Sequence, residues 1–143
     1  NSRLDTIQAA VLLAKLEVFE QELEARQIIA ARYTQALSEA GFDHLPYIPQ
    51  GYRSAWAQYT VRVKNRDALQ ARLKDAGIPT VVHYPTPLNK QPAVADETVT
   101  LPVGDILAEE VMSLPMSGYL EQADQAYATA TLSHIISHNE SGA

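Results

Sequence analysis

Apolar residues run nearly all the way round the first segment of the chain. Leu4, Ile7, Ala9, Ala10, Val11, Leu12, Leu13, Ala14 and Leu16 leave no polar face, the pattern of a helix buried on several sides in a core or an interface. Beyond Leu16 the apolar set narrows to a stripe of Phe19, Leu23, Ala30, Tyr33 and Leu37 at spacings of three, four and seven. Glu17, Glu20, Glu22, Glu24, Arg26 and Arg32 fill the positions between, so one face meets water. The two textures together predict one long helical arm over residues 1–40, with at most one break. Ser2, followed three residues later by Asp5, predicts a serine-x-x-acid cap, with Ser2 as the N-cap and Arg3 as the first helical residue. Gly41 supplies the left-handed residue that closes the helix. Glu22 and Arg26, four apart with the acid first, form an exposed supporting pair.

After the arm the helical period is lost. Pro46, Pro49 and Gly51 mark residues 42–54 as a loop, with a short strand near 45–48. Over residues 56–63 the alternation of Ala57, Tyr59, Val61 and Val63 with Trp56, Gln58, Thr60 and Arg62 predicts a half-buried strand. Asn65 caps a helix through Ala76 with Ala68, Leu69, Leu73 and Ala76 inward, and Gly77 ends it. The β-branched run at 80–84 predicts a second strand, stopped by Pro85 and Pro87. An ordered, proline-bearing loop over 87–104 leads to a short helix at 105–110 and a core strand at 111–114, ended by Pro115. A last helix over about 121–137 has Ala123, Ala126, Tyr127, Ala130 and Ile135 as its candidate packed face, and 139–143 is a frayed tail. The whole is an α/β pattern: a few-stranded sheet packed on helices, with a long N-terminal helical arm.

Composition narrows the function classes. A chain of 143 residues can bury one core without cross-links. The absence of cysteine rules out disulfides and thiolate metal sites and is compatible with a cytoplasmic location. No apolar run approaches the roughly 20 residues of a membrane span. A net charge of −6 argues against a nucleic-acid partner, which calls for a basic stripe, while leaving room for an anionic small molecule held by a local Arg. The chain opens on an asparagine directly before a helix cap, which suggests a piece of a longer protein.

Several chemistries compete. His134 and His138 are four apart on the last helix, but a third ligand is missing, so a solvated helix end is expected and no metal site. Tyr47, Tyr52, Tyr59, Tyr84, Tyr119 and Tyr127, with Trp56, lack the interleaved basic residues of a stacking surface and read as amphipathic packing. From the residues alone, Asn1 and Arg3 are an exposed helix start, His83 a hydrogen-bonded structural histidine, and Tyr84 a core residue.

A family resemblance changes that balance. Asn1-Ser2-Arg3-Leu4-Asp5, Ile7-Gln8-Ala9-Ala10, Leu16, the VHYPTPLNKQPA stretch at 82–93 and SLPM at 113–116 occur in one order at long intervals. Together they resemble the C-terminal part of the pyridoxal-phosphate (PLP) sugar aminotransferases, the family of perosamine synthases and other nucleotide-sugar aminotransferases. The resemblance runs from Asn1 to about the start of the final helix. Within the family, LNKQPA and NSRLDTIQAAVLLAKL look most like the UDP-2-acetamido-2-deoxy-3-oxo-glucuronate aminotransferases, which serve lipopolysaccharide O-antigen synthesis.

The resemblance implies a fold-type-I homodimer in which glutamate first aminates PLP and the nucleotide-linked keto sugar then receives the amine. Residues 1–40 would be the arm connecting to a large PLP domain, and residues 41–143 the small C-terminal αβ domain. The essential lysine, the aspartate on the pyridine nitrogen and the stacking aromatic would lie before Asn1. This chain would then hold no catalytic residue and be inactive alone. Asn1 matches the asparagine that reaches the neighbouring subunit's cofactor phosphate, and Arg3 the arginine that reaches the substrate there. An amide donor, a guanidinium fork and the positive end of a helix all favour an anion, which agrees with those roles. His83 and Tyr84 match the His-Tyr pair lining the substrate pocket, with His83 not the base, since the PLP lysine moves that proton. Asn89 departs from the histidine of many relatives and Val94 from their aromatic residue, two departures that bear on which sugar is taken. The rival from another class is a binding or dimerisation module without catalytic history, which has no need to bring Asn1, Arg3, His83 and Tyr84 near one ligand.

Overall fold

The computed structural model describes residues 3–96 and 98–140, the side chains of 139 and 140 excepted. In chain order the elements are α1 (Thr6–Glu39), β1 (Tyr59–Arg62), α2 (Arg66–Asp75), a single 3-10 turn (Leu88–Lys90), α3 (Pro102–Glu110), β2 (Val111–Leu114) and α4 (Gln122–Glu140).

The arm is one unbroken helix of 34 residues, about 50 Å long at 1.5 Å per residue. Its cap is Asp5, not Ser2, which itself lies outside the described residues. Gln8 N donates to Asp5 Oδ1 at 2.8 Å, and Asp5 N donates to the Gln8 side chain at 3.4 Å. An aspartate caps as well as a serine, and its charge suits the positive end of the helix, so Asp5-x-x-Gln8 starts the helix three residues later than expected. Arg3 therefore precedes the cap by two residues. At the other end Gly41, at φ 84, donates to Ser38 O and Phe42 N donates to Leu37 O, both at 3.0 Å, closing the last turn as the glycine predicts.

The sheet is smaller than the sequence pattern suggests. β1 and β2 pair antiparallel, with Tyr59 opposite Leu114, Thr60 opposite Ser113, Val61 opposite Met112 and Arg62 opposite Val111. The strand expected at 56–63 shortens at its start because Trp56, at φ 47, cannot continue an extended ladder. Residues 80–84 form no strand: only Val81 bridges to Ser113, between flanking prolines that lack the N–H a ladder needs. Residues 45–48 also carry no strand. α3 begins at Pro102, earlier than expected, with proline in the first turn where its missing donor costs nothing.

Tyr33, Leu37, Tyr59, Val61, Leu73, Met112 and Leu132 form the centre of the core, joining the second half of α1 to the sheet, α2 and α4. On α2 Leu69 and Leu73 point inward, while Ala68 is exposed. On α4 the buried stripe is Gln125, Ala128, Thr129, Leu132 and Ile135; of the expected face only Ile135 is buried, and Ala123, Ala126, Tyr127 and Ala130 face outward. Two polar residues go inside because each has a backbone acceptor: Gln125 Nε2 donates to Ile29 O at 2.7 Å, and Thr129 Oγ1 to Gln125 O at 3.1 Å.

The first half of α1 behaves differently. Leu4, Ile7, Val11, Leu12, Leu13 and Leu16 are all exposed, so within this chain the expected burial does not occur. Among the described residues the rest of the fold leaves them uncovered, and the first α1 side chain with a polar contact to it is Glu20, paired with Arg53 at 3.5 Å. The expected Glu22–Arg26 pair does form, at 3.6 Å. Among the described residues no helix is long and apolar enough to cross a membrane.

Candidate functional site

The segment after α2 is pinned to the edge of β2 by two backbone hydrogen bonds, Ser113 N to Val81 O at 2.8 Å and Val81 N to Ser113 O at 3.2 Å. This places His83 half-buried beside the sheet, with Nδ1 3.5 Å from Ser113 Oγ. Ser113 Oγ stands 2.9 Å from Thr60 Oγ1, its register partner on β1. Tyr84 follows, 73% exposed and therefore not a core residue, its ring edge-on to His83 with centroids 5.6 Å apart. The His83–Tyr84 peptide is cis.

Both side chains line an open groove of about 330 Å³ whose other walls include Thr86, Pro87, Leu88, Leu107, Ala108 and Val111. The walls are tied in place from outside the groove. Lys90 Nζ meets Asp105 Oδ1 at 2.9 Å and fastens the 3-10 turn to α3. Arg66, at the start of α2 and only 6% exposed, pairs with Asp67 and donates from Nη1 to Ala108 O at 3.1 Å and Val111 O at 3.0 Å. These carbonyls belong to the end of α3 and the start of β2, where helix carbonyls lack partners of their own and a cation is favoured. Arg62 adds an ion pair with Glu110 at 2.7 Å.

Arg3 is exposed and makes no hydrogen bond or ion pair with another described residue. No hydrogen bond or ion pair among the described residues joins it to His83 or Tyr84. Asn1 lies outside the described residues. His134 and His138 lie side by side, ring centroids 4.1 Å apart, with His138 Nδ1 3.0 Å from His134 O. Among the described residues no group of three or more metal-binding side chains converges.

The aromatic residues divide. Tyr33 stacks on Tyr59 at 4.9 Å and Trp56 on Tyr59 at 5.6 Å, the packing expected of Tyr59 and Trp56. Tyr47, Tyr52, Tyr84, Tyr119 and Tyr127 are instead exposed. Burial pushes the Tyr33 hydroxyl far above the ordinary tyrosine range, with Tyr59 adding to the shift; burial also raises Tyr59, against its hydrogen bond with Thr34. These are neutral structural hydroxyls. A second, wider groove of about 720 Å³ runs between α1 and residues 48–56. There Gln27 joins the two walls, donating to Ser54 O at 2.6 Å and accepting from Trp56 Nε1 at 3.0 Å.

Sequence reasoning did not single out Thr60 and Arg66 or give Ser113 a role. Ser113 stood inside the SLPM stretch, but its place beside His83 depends on a strand register that no local pattern announces.

The sequence profile described as the DegT/DnrJ/EryC1/StrS aminotransferase family matches residues 1–133. The chain is 56% identical over 134 residues to the UDP-2-acetamido-2-deoxy-3-oxo-D-glucuronate aminotransferase of Pseudomonas aeruginosa, an alignment covering 94% of this chain and 37% of that protein. It is 37% identical over 118 residues to the UDP-N-acetyl-3-dehydro-alpha-D-glucosamine 3-aminotransferase of Acidithiobacillus ferrooxidans, covering 81% of this chain and 31% of the relative. Among solved structures, a DegT DnrJ EryC1 StrS aminotransferase from Brucella abortus superposes with a TM-score of 0.87 at 46% identity, over 94% of this chain and 36% of the other. DesV of S. venezuelae, in complex with a ketimine intermediate, superposes with a TM-score of 0.89 at 33% identity, over 94% of this chain and 37% of the other. The chain thus spans about a third of the length of these relatives.

Proposed function

Because the chain belongs to the DegT/DnrJ/EryC1/StrS aminotransferase family, we propose that it is the C-terminal part of an enzyme that carries an amino group from glutamate, by way of PLP, to a nucleotide-linked keto sugar. The sugar is a UDP-linked 3-keto-N-acetylglucosaminuronic acid, and the product feeds lipopolysaccharide O-antigen synthesis in the cytoplasm. The observation that carries this reading is the 56% identity to the Pseudomonas aeruginosa 3-oxo-glucuronate aminotransferase across nearly the whole chain. In this reading residues 1–40 are the arm leading from a large PLP domain, and residues 41–143 are the small domain, with the second half of the arm built into the small domain's core.

The residues of this chain do not by themselves build a site for PLP. Lys15, Lys64, Lys74 and Lys90 are all exposed, and Lys90 is engaged by Asp105. None has the desolvated setting that makes a lysine amine nucleophilic near neutral pH. What the chain supplies is binding groups at the edge of a site, and alone it is inactive. The protruding half of α1 supports a division of labour between subunits of a homodimer. Residues 6–19 extend roughly 20 Å beyond the helix's first polar contact with the rest of the chain, at 1.5 Å per residue. In this reading that reach serves a neighbouring subunit. There Asn1 serves the cofactor phosphate, and Arg3, exposed and lacking an acceptor among the described residues, an anionic group of the sugar nucleotide; His83 and Tyr84 line the sugar pocket.

Arg3→Ala in the full-length enzyme tests this. Losing a charge-assisted contact costs about 1.5–3 kcal/mol, so kcat/KM for the sugar is expected to fall about tenfold to a hundredfold. The half-reaction with glutamate should be nearly unchanged. Equal slowing of both half-reactions, or a lowered melting temperature, would make Arg3 a structural residue and sink this account of the arm.

A further inference from the structure

The His83 groove is backed by a short line of hydroxyls. Thr60 and Ser113 face each other across the sheet with oxygens 2.9 Å apart, and Ser113 Oγ has His83 Nδ1 on its other side in a long contact of 3.5 Å. Ser113 is 5% exposed, so its hydroxyl must find partners inside the protein.

Counting protons sets the direction of the line. Thr60 and Ser113 carry one hydroxyl proton each. If Thr60 donates to Ser113 and Ser113 donates to Nδ1, both protons are used. In the reverse direction Nδ1–H donates to Ser113 and Ser113 to Thr60, and the proton of half-buried Thr60 is left without an acceptor among the described residues. The first direction leaves no hydroxyl idle. It makes Nδ1 the acceptor and leaves the ring proton on Nε2, since the tautomer of a neutral imidazole follows from the bond its other nitrogen makes.

We propose that Ser113, backed by Thr60, is a positioning residue that holds His83 in its Nε2–H tautomer, so that the ring presents an N–H donor to an oxygen of the sugar. This deepens the reading of His83 as a sugar-pocket residue and rests on it. The groove wall beside His83 is mainly apolar, with Pro87, Leu88, Leu107, Ala108 and Val111, and its other side-chain donors are the Tyr84 and Thr86 hydroxyls, so an oriented N–H from His83 adds a fixed donor that favours an oxygen acceptor. Ser113 acts only through His83.

Ring-nitrogen NMR of the 143-residue chain with 15N-labelled histidine, recorded near pH 8 where an ordinary imidazole is neutral, reads the tautomer directly. The His83 signals are those lost in His83→Gln. Nδ1 should appear unprotonated and Nε2 protonated. Ser113→Ala should move both signals toward the averaged positions of a tautomer mixture, and Ser113→Thr should restore them. Thr60→Val, which keeps the Ser113 hydroxyl, should move them the same way by less. A mixture or an Nδ1–H form in the unaltered chain, or signals indifferent to Ser113→Ala, would overturn the proposal. The sugar is absent from this measurement, so it separates the two readings. In the full-length enzyme Ser113→Ala should raise KM for the sugar several-fold with kcat and the glutamate half-reaction little changed. A tautomer shift without a change in KM would uphold the positioning by Ser113 and refute the sugar contact of His83.

Discussion

Tyr33 has no exposed surface, yet it carries a hydroxyl, and that hydroxyl donates to Pro115 O at 2.9 Å. The bond joins the middle of α1 to the residue that ends β2, and it makes burying a phenol tolerable. Burial, with Tyr59 adding to it, holds its proton tightly: the folded chain keeps it above the pH at which an unfolded tyrosine, with its ordinary value of 10.0, lets it go. The sign of the linkage follows. Above about pH 10 the unfolded chain binds fewer protons than the folded one, so stability falls as pH rises, and below that it is fully present. Tyr33→Phe should cost about 1 kcal/mol at neutral pH through the lost hydrogen bond and remove part of the alkaline loss, Tyr59 keeping the remainder. Urea midpoints at about pH 8 and pH 11 measure both effects; a variant that loses as much stability between them as the parent chain removes Tyr33 from the account. Tyr33 was legible in the sequence as part of a three-four-seven stripe. Gln125 and Thr129 were not, because their burial depends on carbonyl acceptors, and an apolar count therefore rotated the face of α4 away from its true side.

The elements that the sequence pattern predicted well are those with an end marked in the chain itself: α1 and α2 before Gly41 and Gly77, both at positive φ, and β2 before Pro115. Elements whose existence depends on a distant partner were misread. Residues 80–84 have strand-forming side chains, but between prolines they gain only one bridge, and the start of α1 was claimed by Asp5 over Ser2 because Gln8 completes the reciprocal cap. Arg66 belongs to the same class. Locally it is a polar residue opening a helix, and only the fold brings it to the carbonyls of Ala108 and Val111, where it fastens α2 to the α3–β2 turn that walls the groove. Arg66→Met keeps the aliphatic stem and removes the donors. Two carbonyl contacts are lost, the one to Ala108 O buried and the one to Val111 O part-buried, so the variant should be less stable by about 1–3 kcal/mol, and the His83 ring signals should shift with the wall. An unchanged urea midpoint would show that solvent satisfies those carbonyls and that Arg66 fastens nothing.

At the scale of the whole molecule the chain is uneven: a tight core at one end of α1 and a bare apolar helix at the other. Ile7 is 78% exposed, Leu13 67%, and Leu4 and Leu16 62% each. An all-round apolar pattern announces a buried helix, yet among the described residues nothing covers this one; in the proposed reading its partner is the rest of an aminotransferase, and the chain spans 37% of its Pseudomonas relative. The energetics favour contact. Burying a large aliphatic side chain is worth about 1.5–3 kcal/mol, so Ile7, Val11, Leu12, Leu13, Leu16 and Phe19 together offer on the order of 10 kcal/mol. Two copies of the chain bury this set twice, on the order of 20 kcal/mol, which exceeds the range of about 4–15 kcal/mol that association costs in lost rigid-body freedom. The isolated chain should therefore self-associate through the first half of α1 and bind a hydrophobic dye when diluted to monomer. Sedimentation over a dilution series reads this, and Leu13→Glu with Leu16→Glu should abolish it without lowering the melting temperature, because neither side chain touches the core. A monomer at every concentration that binds no dye would mean that the arm is satisfied by its own chain, and with that the case for a docking helix would fail.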